Sequence, residues 1–216
     1  MNLPNKITIS RIVLIVGMII AMLVLAFIPG LKDCDLVIPN TNINVIYLIF
    51  CAVFIIAACT DFLDGYLARK LNLVTAFGKF LDPIADKLLN DATMIFLLVP
   101  QAYAKSQRSD QTMLTVLMIC VVVMIARDLV VDALRMIAVE RGKVIAANKF
   151  GKLKTVLQMI AIPMLLLNDW PFHYFDNSWP EALQVSNIFF YLATLMSLIS
   201  GIIYLVQNKT VLKETK

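Results

Sequence analysis

Eight residues between positions 61 and 86 have the types and spacing best suited to chemistry: Asp61, Asp64, Gly65, Ala68, Arg69, Gly78, Asp82 and Asp86. On a helix advancing about 100° per residue, Asp61 and Asp64 stand about 60° apart and Asp82 and Asp86 about 40° apart, so each pair shares a face. Two helices thereby present four carboxylates. Facing one another uncompensated, they would repel strongly. Divalent metal removes that cost: oxygen-only ligands select Mg²⁺, Mn²⁺ or Ca²⁺ over zinc, and several carboxylates hold two ions about 3.5 to 4 Å apart. Such a pair suits a pyrophosphate. Gly65 and Ala68 fall within about 60° of Asp61 on the helical wheel and leave room for a nucleotide against the backbone. Arg69 can reach a phosphate, and Gly78 lets the inter-helix turn approach a ligand closely. Eight such residues at fixed spacing, each with a frequency of roughly 5 to 10%, match by chance on the order of 10⁻⁹ times per start position. The competing readings are ordinary polar residues at a helix end, or a cation- or proton-transport site. The sequence has neither the internal repeats nor the paired broken helices that transport would favour.

The elements that position these residues follow from composition. Of 216 residues, 60% are hydrophobic and 16% charged, with a mean hydropathy of +0.82, far from a soluble domain. A bilayer core of about 30 Å needs roughly 20 apolar residues per helix. Six runs qualify: Ile12 to Leu31, Ile43 to Thr60, Ile84 to Ala104, Met113 to Ala138, Val156 to Leu167 with its flanks, and Ile188 to Val206. The expected fold is an all-α integral membrane domain over residues 1–216, with six transmembrane helices and a short N-terminal interfacial helix over residues 1–11. The first run is longer than a signal-peptide core and lacks a small-residue cleavage site, so it is expected to stay in the mature protein.

The net charge of +4 does not point to nucleic acid, because the basic residues alternate by side. With the N-terminus in the cytoplasm, thirteen of nineteen fall inside: Lys6, Arg11, Arg69, Lys70, Lys79, Arg141, Lys143, Lys149, Lys152, Lys154, Lys209, Lys213 and Lys216. Outer loops hold Lys32, Lys105 and Arg108, while Lys87, Arg127 and Arg135 lie within helices. This is the positive-inside pattern of a cytoplasmic membrane protein with both termini and the site cytoplasmic, and its inner face suits anionic lipids. The loop from Asn168 to Trp179 is rich in aromatics, as an interfacial belt on the outer side would be, and His173 there reads as an interfacial side chain. Cys34, Cys51, Cys59 and Cys120 form no C-x-x-C pair, so neither disulfide frame nor zinc site follows.

The run D-x₂-D-G-x₂-A-R-x₈-G-x₃-D-x₃-D resembles the signature of the CDP-alcohol phosphotransferase family at every position. That resemblance implies that Asp61, Asp64 and Asp82 are ligands to two divalent cations, Mg²⁺ or Mn²⁺. Asp86 would assist them and deprotonate the acceptor hydroxyl. Gly65, Arg69 and Thr75 would hold the CDP moiety. The reaction implied is in-line attack of an alcohol oxygen on the lipid-side phosphorus of a CDP-linked lipid such as CDP-diacylglycerol, with CMP leaving. The opening Pro4-Asn5-Lys-Ile-Thr8-Ile-Ser-Arg11 resembles the P-N-x-x-T-x-x-R segment of the same family. Pro4 is tolerated in a first turn, and Asn5, Thr8 and Arg11 share a face. Asn5 and Thr8 either touch the nucleotide or pyrophosphate, or cap and anchor the helix.

The acceptor is read from the fourth run and its exit. Asp128, Asp132 and Arg135 stripe one helix face and suggest internal neutralisation of charge. Arg127, Arg141, Lys149, Lys152 and Lys154 have few acidic neighbours in sequence and suggest a pocket for a phosphate-bearing acceptor. Arg127-Asp-x-x-Val-x-Ala-Leu-Arg135 and Gly151-Lys-x-Lys-Thr-x-x-Gln158 resemble the family branch whose acceptor is sn-glycerol 3-phosphate, giving phosphatidylglycerophosphate. Arg127, Arg141 and Lys149 or Lys152 are then the expected phosphate ligands. Relatives using phosphatidylglycerol or inositol phosphate remain alternatives. Family resemblance also implies a homodimer, although no helix shows a G-x-x-x-G seam.

Overall fold

Hydrophobic stretches become long helices here, two of them running through an internal proline, Pro83 and Pro163, and capping side chains set several of their starts. The computed structural model describes residues 3–27, 38, 41, 43–71, 75–99, 111–143, 145, 148–176 and 178–209, apart from the side chains of residues 3, 4, 26, 62, 67–69, 76 and 79. The elements are α1 (Leu3–Phe27), α2 (Val45–Lys70), α3 (Ala76–Leu97), α4 (Gln111–Glu140), α5 (Lys149–Leu166), the single turn α6 (His173–Asp176), a 3₁₀ turn (Glu181–Leu183) and α7 (Val185–Gln207). Among the described residues there is no strand.

Asn44 caps α2, its Oδ1 accepting from Ile46 N–H at 2.8 Å. Asn148 does the same for α5 through Phe150 N–H at 3.1 Å. Thr75, in extended conformation, caps α3 by accepting from Gly78 N–H at 3.0 Å. α4 closes on Gly142 at φ +66°, with Gly142 N–H to Val139 O and Lys143 N–H to Ala138 O. That paired closure needs a left-handed residue, which glycine adopts without penalty.

The chain packs as two units, residues 1–110 with 163–174, and residues 111–162 with 175–216. In the first, α1 packs on both α2 and α3, which also meet each other. Tyr47, Phe50 and Phe96 cluster where α2 begins and α3 ends, the Phe50 and Phe96 rings meeting edge-on at 5.5 Å. The aspartates lie at the opposite end of both helices, roughly 20 Å away along the helix axis at 1.5 Å per residue. In the second unit α4 packs against α7, whose buried stripe is mostly small or polar, Ser186, Asn187, Ala193, Thr194, Ser197, Ser200 and Gly201, with Phe190 and Tyr204 among them. Small side chains let helices approach closely.

The N-terminal expectation requires correction. Residues 1–11 do not form a separate interfacial helix: α1 is continuous from Leu3 to Phe27. Thr8, Arg11, Ile15, Met18, Met22 and Leu25 are all buried, at steps of three and four. The polar face of the opening segment thus continues directly into an apolar face of the same helix.

Among the described residues, four helices are long and apolar enough to cross a bilayer: Asn5–Leu25, Val45–Tyr66, Gln111–Glu140 and Val185–Gln207. This falls short of the six expected. α3 carries Asp82, Asp86, Lys87 and Asp91, and α5 carries Lys149, Lys152 and Lys154, more charge than a simple span tolerates. The ends of the first and third apolar runs, with Lys32, Cys34, Lys105, Arg108, Lys213 and Lys216, lie outside the described residues. Val13, Ile20, Leu23, Ile49, Ile56, Ile119, Val122, Ile202 and Val206 are exposed on the outer faces of these helices. Water does not support so much apolar surface, whereas lipid does. The chain is a multi-pass membrane protein.

Candidate active site

Three carboxylates of the 61–86 motif converge on one cation. Asp61 and Asp64 descend from the last turns of α2, Asp82 from the second turn of α3, and α1 inserts Arg11 between them. Arg11 Nη1 bonds Asp61 Oδ1 and lies 3.8 Å from Asp64 Oδ2, and Nη2 lies 3.6 Å from Asp82 Oδ1. Arg11 is 3% exposed and Asp64 likewise 3%, while Asp61 and Asp82 are half-buried. Thr8, one turn before Arg11, donates its hydroxyl to Asp64 Oδ2 at 3.1 Å. Asp82 precedes the apolar run beginning at Ile84.

A second set of contacts joins the N-terminus to the start of α3. Thr75 Oγ1 donates to Asn5 Oδ1 at 2.8 Å while accepting from Gly78 N–H. A Cβ at Gly78 would come within 3.3 Å of Thr75 Oγ1 and 3.6 Å of Asn5 Oδ1, so a larger residue would press on this junction. Asn5, Thr8, Thr75 and Gly78 are therefore brought together with the aspartates. Gly65 follows Asp64 on α2, whereas the side chains of Ala68 and Arg69 lie outside the described residues. Asp86 stands one turn beyond Asp82. The nearly buried Asn90 donates Nδ2 to both its Oδ1 and its backbone oxygen at 3.0 Å.

Two residues here have a place at the site that the sequence does not assign them. Arg11 was placed on the face of Asn5 and Thr8, but only packing of three helices shows it meeting the aspartates. Asn90 lies four residues after Asp86, a spacing at which helix neighbours meet, so that signal was present.

The acidic set fits divalent metal in kind. Its donors are oxygen only, they come from two helices to one centre, and Asp82 Oδ1 is buried without a hydrogen bond. Among the described residues no three carboxylate, imidazole or thiolate groups are closed to ligand spacing, and the centre holds the Arg11 guanidinium.

The second unit contains the inverse arrangement. Asp128 accepts from Arg127 Nη1 at 2.8 Å and from Lys154 Nζ at 2.5 Å. Arg127 Nη2 donates to Ser200 Oγ at 2.5 Å. A Cβ at Gly201 would come within 2.9 Å of Arg127 Cγ, so glycine there makes the seat for the arginine stem. Tyr204 stacks under the guanidinium groups of Arg127 and Arg135 at 5.7 and 5.5 Å, and its hydroxyl accepts from Arg135 at 3.0 Å and from Asn148 N–H at 2.8 Å.

Arg127 and Lys154, expected to have few acidic neighbours, share one: Asp128 holds both. Lys154 is no loop cation but a residue of α5, 5% exposed. Arg141, Lys149 and Lys152 lie exposed, Arg141 just past α4 and both lysines on α5. Of the basic residues read as an acceptor pocket, Arg127 and Lys154 sit in this cluster, and of the expected phosphate ligands only Arg127 does.

A family model described as CDP-alcohol phosphatidyltransferase matches residues 1–205. The chain belongs to the CDP-alcohol phosphatidyltransferase family. Members generally depend on divalent cations, and the chain is a phosphatidyltransferase rather than a transporter. It is 42% identical over 212 residues to the CDP-diacylglycerol–glycerol-3-phosphate 3-phosphatidyltransferase of Bacillus subtilis, covering 98% of this chain and 97% of that protein. The protein of the same name from Mycoplasma pneumoniae is 36% identical, covering 94% and 86%. A cardiolipin synthase (CMP-forming) of Oryza sativa is 36% identical over 160 residues, covering 71% of this chain and 46% of its own length.

Proposed function

We propose that the protein transfers the phosphatidyl group of CDP-diacylglycerol to sn-glycerol 3-phosphate, giving phosphatidylglycerophosphate and CMP in phospholipid biosynthesis. The observation that carries this is the convergence of Asp61, Asp64 and Asp82 on one cationic centre inside a family that acts on CDP-alcohols. Full-length likeness to the Bacillus subtilis protein selects the acceptor.

In this reading the three aspartates, with Asp86 assisting, hold two divalent cations, Mg²⁺ or Mn²⁺. When bound, these ions neutralise the charge developing on the pyrophosphate. Asn5, Thr8, Gly65, Ala68, Arg69, Thr75 and Gly78 cradle the CDP moiety. Asp86, held in one rotamer by Asn90, takes the proton of the acceptor hydroxyl as that oxygen bonds the lipid-side phosphorus and the bond to CMP breaks. Arg127 holds the acceptor phosphate, with Arg141, Lys149 and Lys152 drawing the dianion towards it.

The whole chain is read as one catalytic domain, since a single family model spans residues 1–205. Its membrane placement is read as six spans, with α3 and α5 crossing as charged helices shielded by their neighbours. The positive-inside distribution supports cytoplasmic termini and a cytoplasmic site in a bacterial-type cell membrane, and the exposed Trp170, Phe172, Tyr174, Phe175 and Trp179 support an outer interfacial loop. Family resemblance supports a homodimer surrounded by membrane lipids.

The likeness to the rice protein favours one second reading, phosphatidylglycerol as acceptor with cardiolipin as product. Purified protein with CDP-diacylglycerol, Mg²⁺ or Mn²⁺ and each acceptor in turn separates them by CMP release. Release with glycerol 3-phosphate alone is expected. Release only with phosphatidylglycerol or inositol phosphate would transfer the chain to another branch, and none with any acceptor would remove the enzyme reading. Arg127→Glu should raise the KM for glycerol 3-phosphate, and an unchanged KM would take Arg127 out of the acceptor site.

A further inference from the structure

We infer that Arg11 is a resident counter-cation of the acidic cluster, holding Asp61, Asp64 and Asp82 together from α1 and exchanging places with divalent metal when an ion binds. The inference rests on the divalent-cation reading above and concerns how that site is kept assembled.

Three observations carry it. Arg11 is 97% buried, and a guanidinium is costly to bury unless carboxylates compensate it. Its position is the centre of the carboxylates themselves, so a metal ion held by these oxygens and the guanidinium compete for one volume and one charge. Lastly, the fit is coulombic more than hydrogen-bonded: Nε and Nη2 are buried without a hydrogen-bond partner, and no carboxylate forms the two-pronged pair that guanidinium prefers. Arg127 also has its Nε buried without a hydrogen-bond partner, but it differs at the fork: Nη1 bonds Asp128, Nη2 bonds Ser200 and the stem is seated on Gly201. Arg127 occupies a seat shaped for arginine. Arg11 occupies one shaped for positive charge.

Exchange explains how two helices can carry three carboxylates to one point before an ion arrives. It also makes Arg11 a positioning residue: without it the aspartates repel, and with it they bind metal less tightly than they otherwise would. A charge a few ångströms away shifts a carboxylate's proton affinity by about one to three pK units, and the same competition acts on a metal ion.

The test uses the full chain in detergent, with Mn²⁺ alone as probe, measuring melting temperature in EDTA and at saturating Mn²⁺ together with the Mn²⁺ dissociation constant. Arg11→Gln should melt below the wild type in EDTA, regain most of that difference in Mn²⁺, and bind Mn²⁺ about tenfold or more tightly. Arg11→Lys, a more compact cation that reaches fewer carboxylates, should lose part of the EDTA melting temperature and recover it with Mn²⁺. It decides the matter alone if Arg11→Gln does not fold. A melting deficit equal in EDTA and Mn²⁺ would make Arg11 a permanent staple and overturn the exchange, as would unchanged or weaker Mn²⁺ binding by Arg11→Gln. A wild-type protein that binds no Mn²⁺ removes the divalent-ion reading and the exchange with it, whereas normal wild-type binding with unaltered variants removes the exchange alone.

Discussion

The two packing units build charge clusters of opposite sense. In the first, three carboxylates surround one guanidinium, which leaves excess negative charge suited to cations. In the second, one carboxylate joins two cations, which leaves excess positive charge suited to an anion. Arg11 and Asp64 in the first cluster and Lys154 in the second are buried, where an uncompensated charge is expensive, while Asp61 and Asp82 are only half-buried. Stability alone would favour neutral pairs, and under the proposed function the first imbalance serves a cation and the second an anion. The surroundings differ as well. The acidic cluster is held by one direct bond from Arg11 to Asp61, longer charge contacts to Asp64 and Asp82 and the hydroxyl of Thr8, whereas the basic one is fitted by Ser200, Gly201 and Tyr204. A site for hard, mobile ions needs charge and adjustable oxygens, while a site for one phosphate gains from a fixed donor geometry.

The largest expected effect breaks the acidic side. Asp86→Asn removes the proposed base while keeping the bond with Asn90 sterically possible, so kcat should fall about 10² to 10⁴-fold with little change in either KM. Full turnover would assign the proton elsewhere. The counterpart on the basic side is Asp128→Ala, which leaves Arg127 and Lys154 facing each other without their shared anion. Removing one member of a buried pair costs about 3 kcal/mol, and the melting temperature should drop accordingly. Adding Lys154→Met to that variant should return part of the loss. Simple addition of the two effects would show that the three residues are not one network.

How much of this contrast was legible in the sequence depends on whether a contact is local. Asp61, Asp64, Asp82 and Asp86 could be placed on shared faces because helix periodicity alone puts them there. The helical class followed from long apolar runs, and the structure keeps it. Arg11 was visible as a positive-inside anchor, yet its meeting with α2 and α3 is tertiary and no spacing reports it. Hydropathy put a boundary near Ile12, but backbone hydrogen bonding ignores hydropathy, and α1 runs through. Lys154 was misread for a related reason. Its apolar run starts at Val156, while the helix starts at Lys149 because Asn148 caps it. Gly201 had no reason to be glycine until Arg127 was laid across it.

That glycine supplies the next test. In Gly201→Ala the new methyl would stand 2.9 Å from Arg127 Cγ, and the arginine stem must shift. Overpacking of this kind costs roughly 1 to 3 kcal/mol. The sharper readout is kinetic: the KM for glycerol 3-phosphate should rise while that for CDP-diacylglycerol holds. Equal rises in both would mean that Arg127 supports the fold of its unit rather than one substrate.

The smallest effect concerns the junction of the acidic side. Thr75 does two things at once, since its oxygen caps α3 by accepting from Gly78 and its hydroxyl donates to Asn5. Thr75→Ala loses both, and loss of an N-cap costs about 1 kcal/mol. Thr75→Ser keeps both and should be close to wild type. Thr75→Asp separates them: aspartate is an excellent cap but has no proton for Asn5 Oδ1, and its charge would face the phosphates of CDP-diacylglycerol. If the junction positions the donor, the Ala and Asp variants should both show a raised KM for CDP-diacylglycerol, with only Ala melting lower. If Thr75 is merely a cap, Ala should melt lower with its KM unchanged, and the contact between Asn5 and Thr75 would hold α1 to α3 without touching substrate.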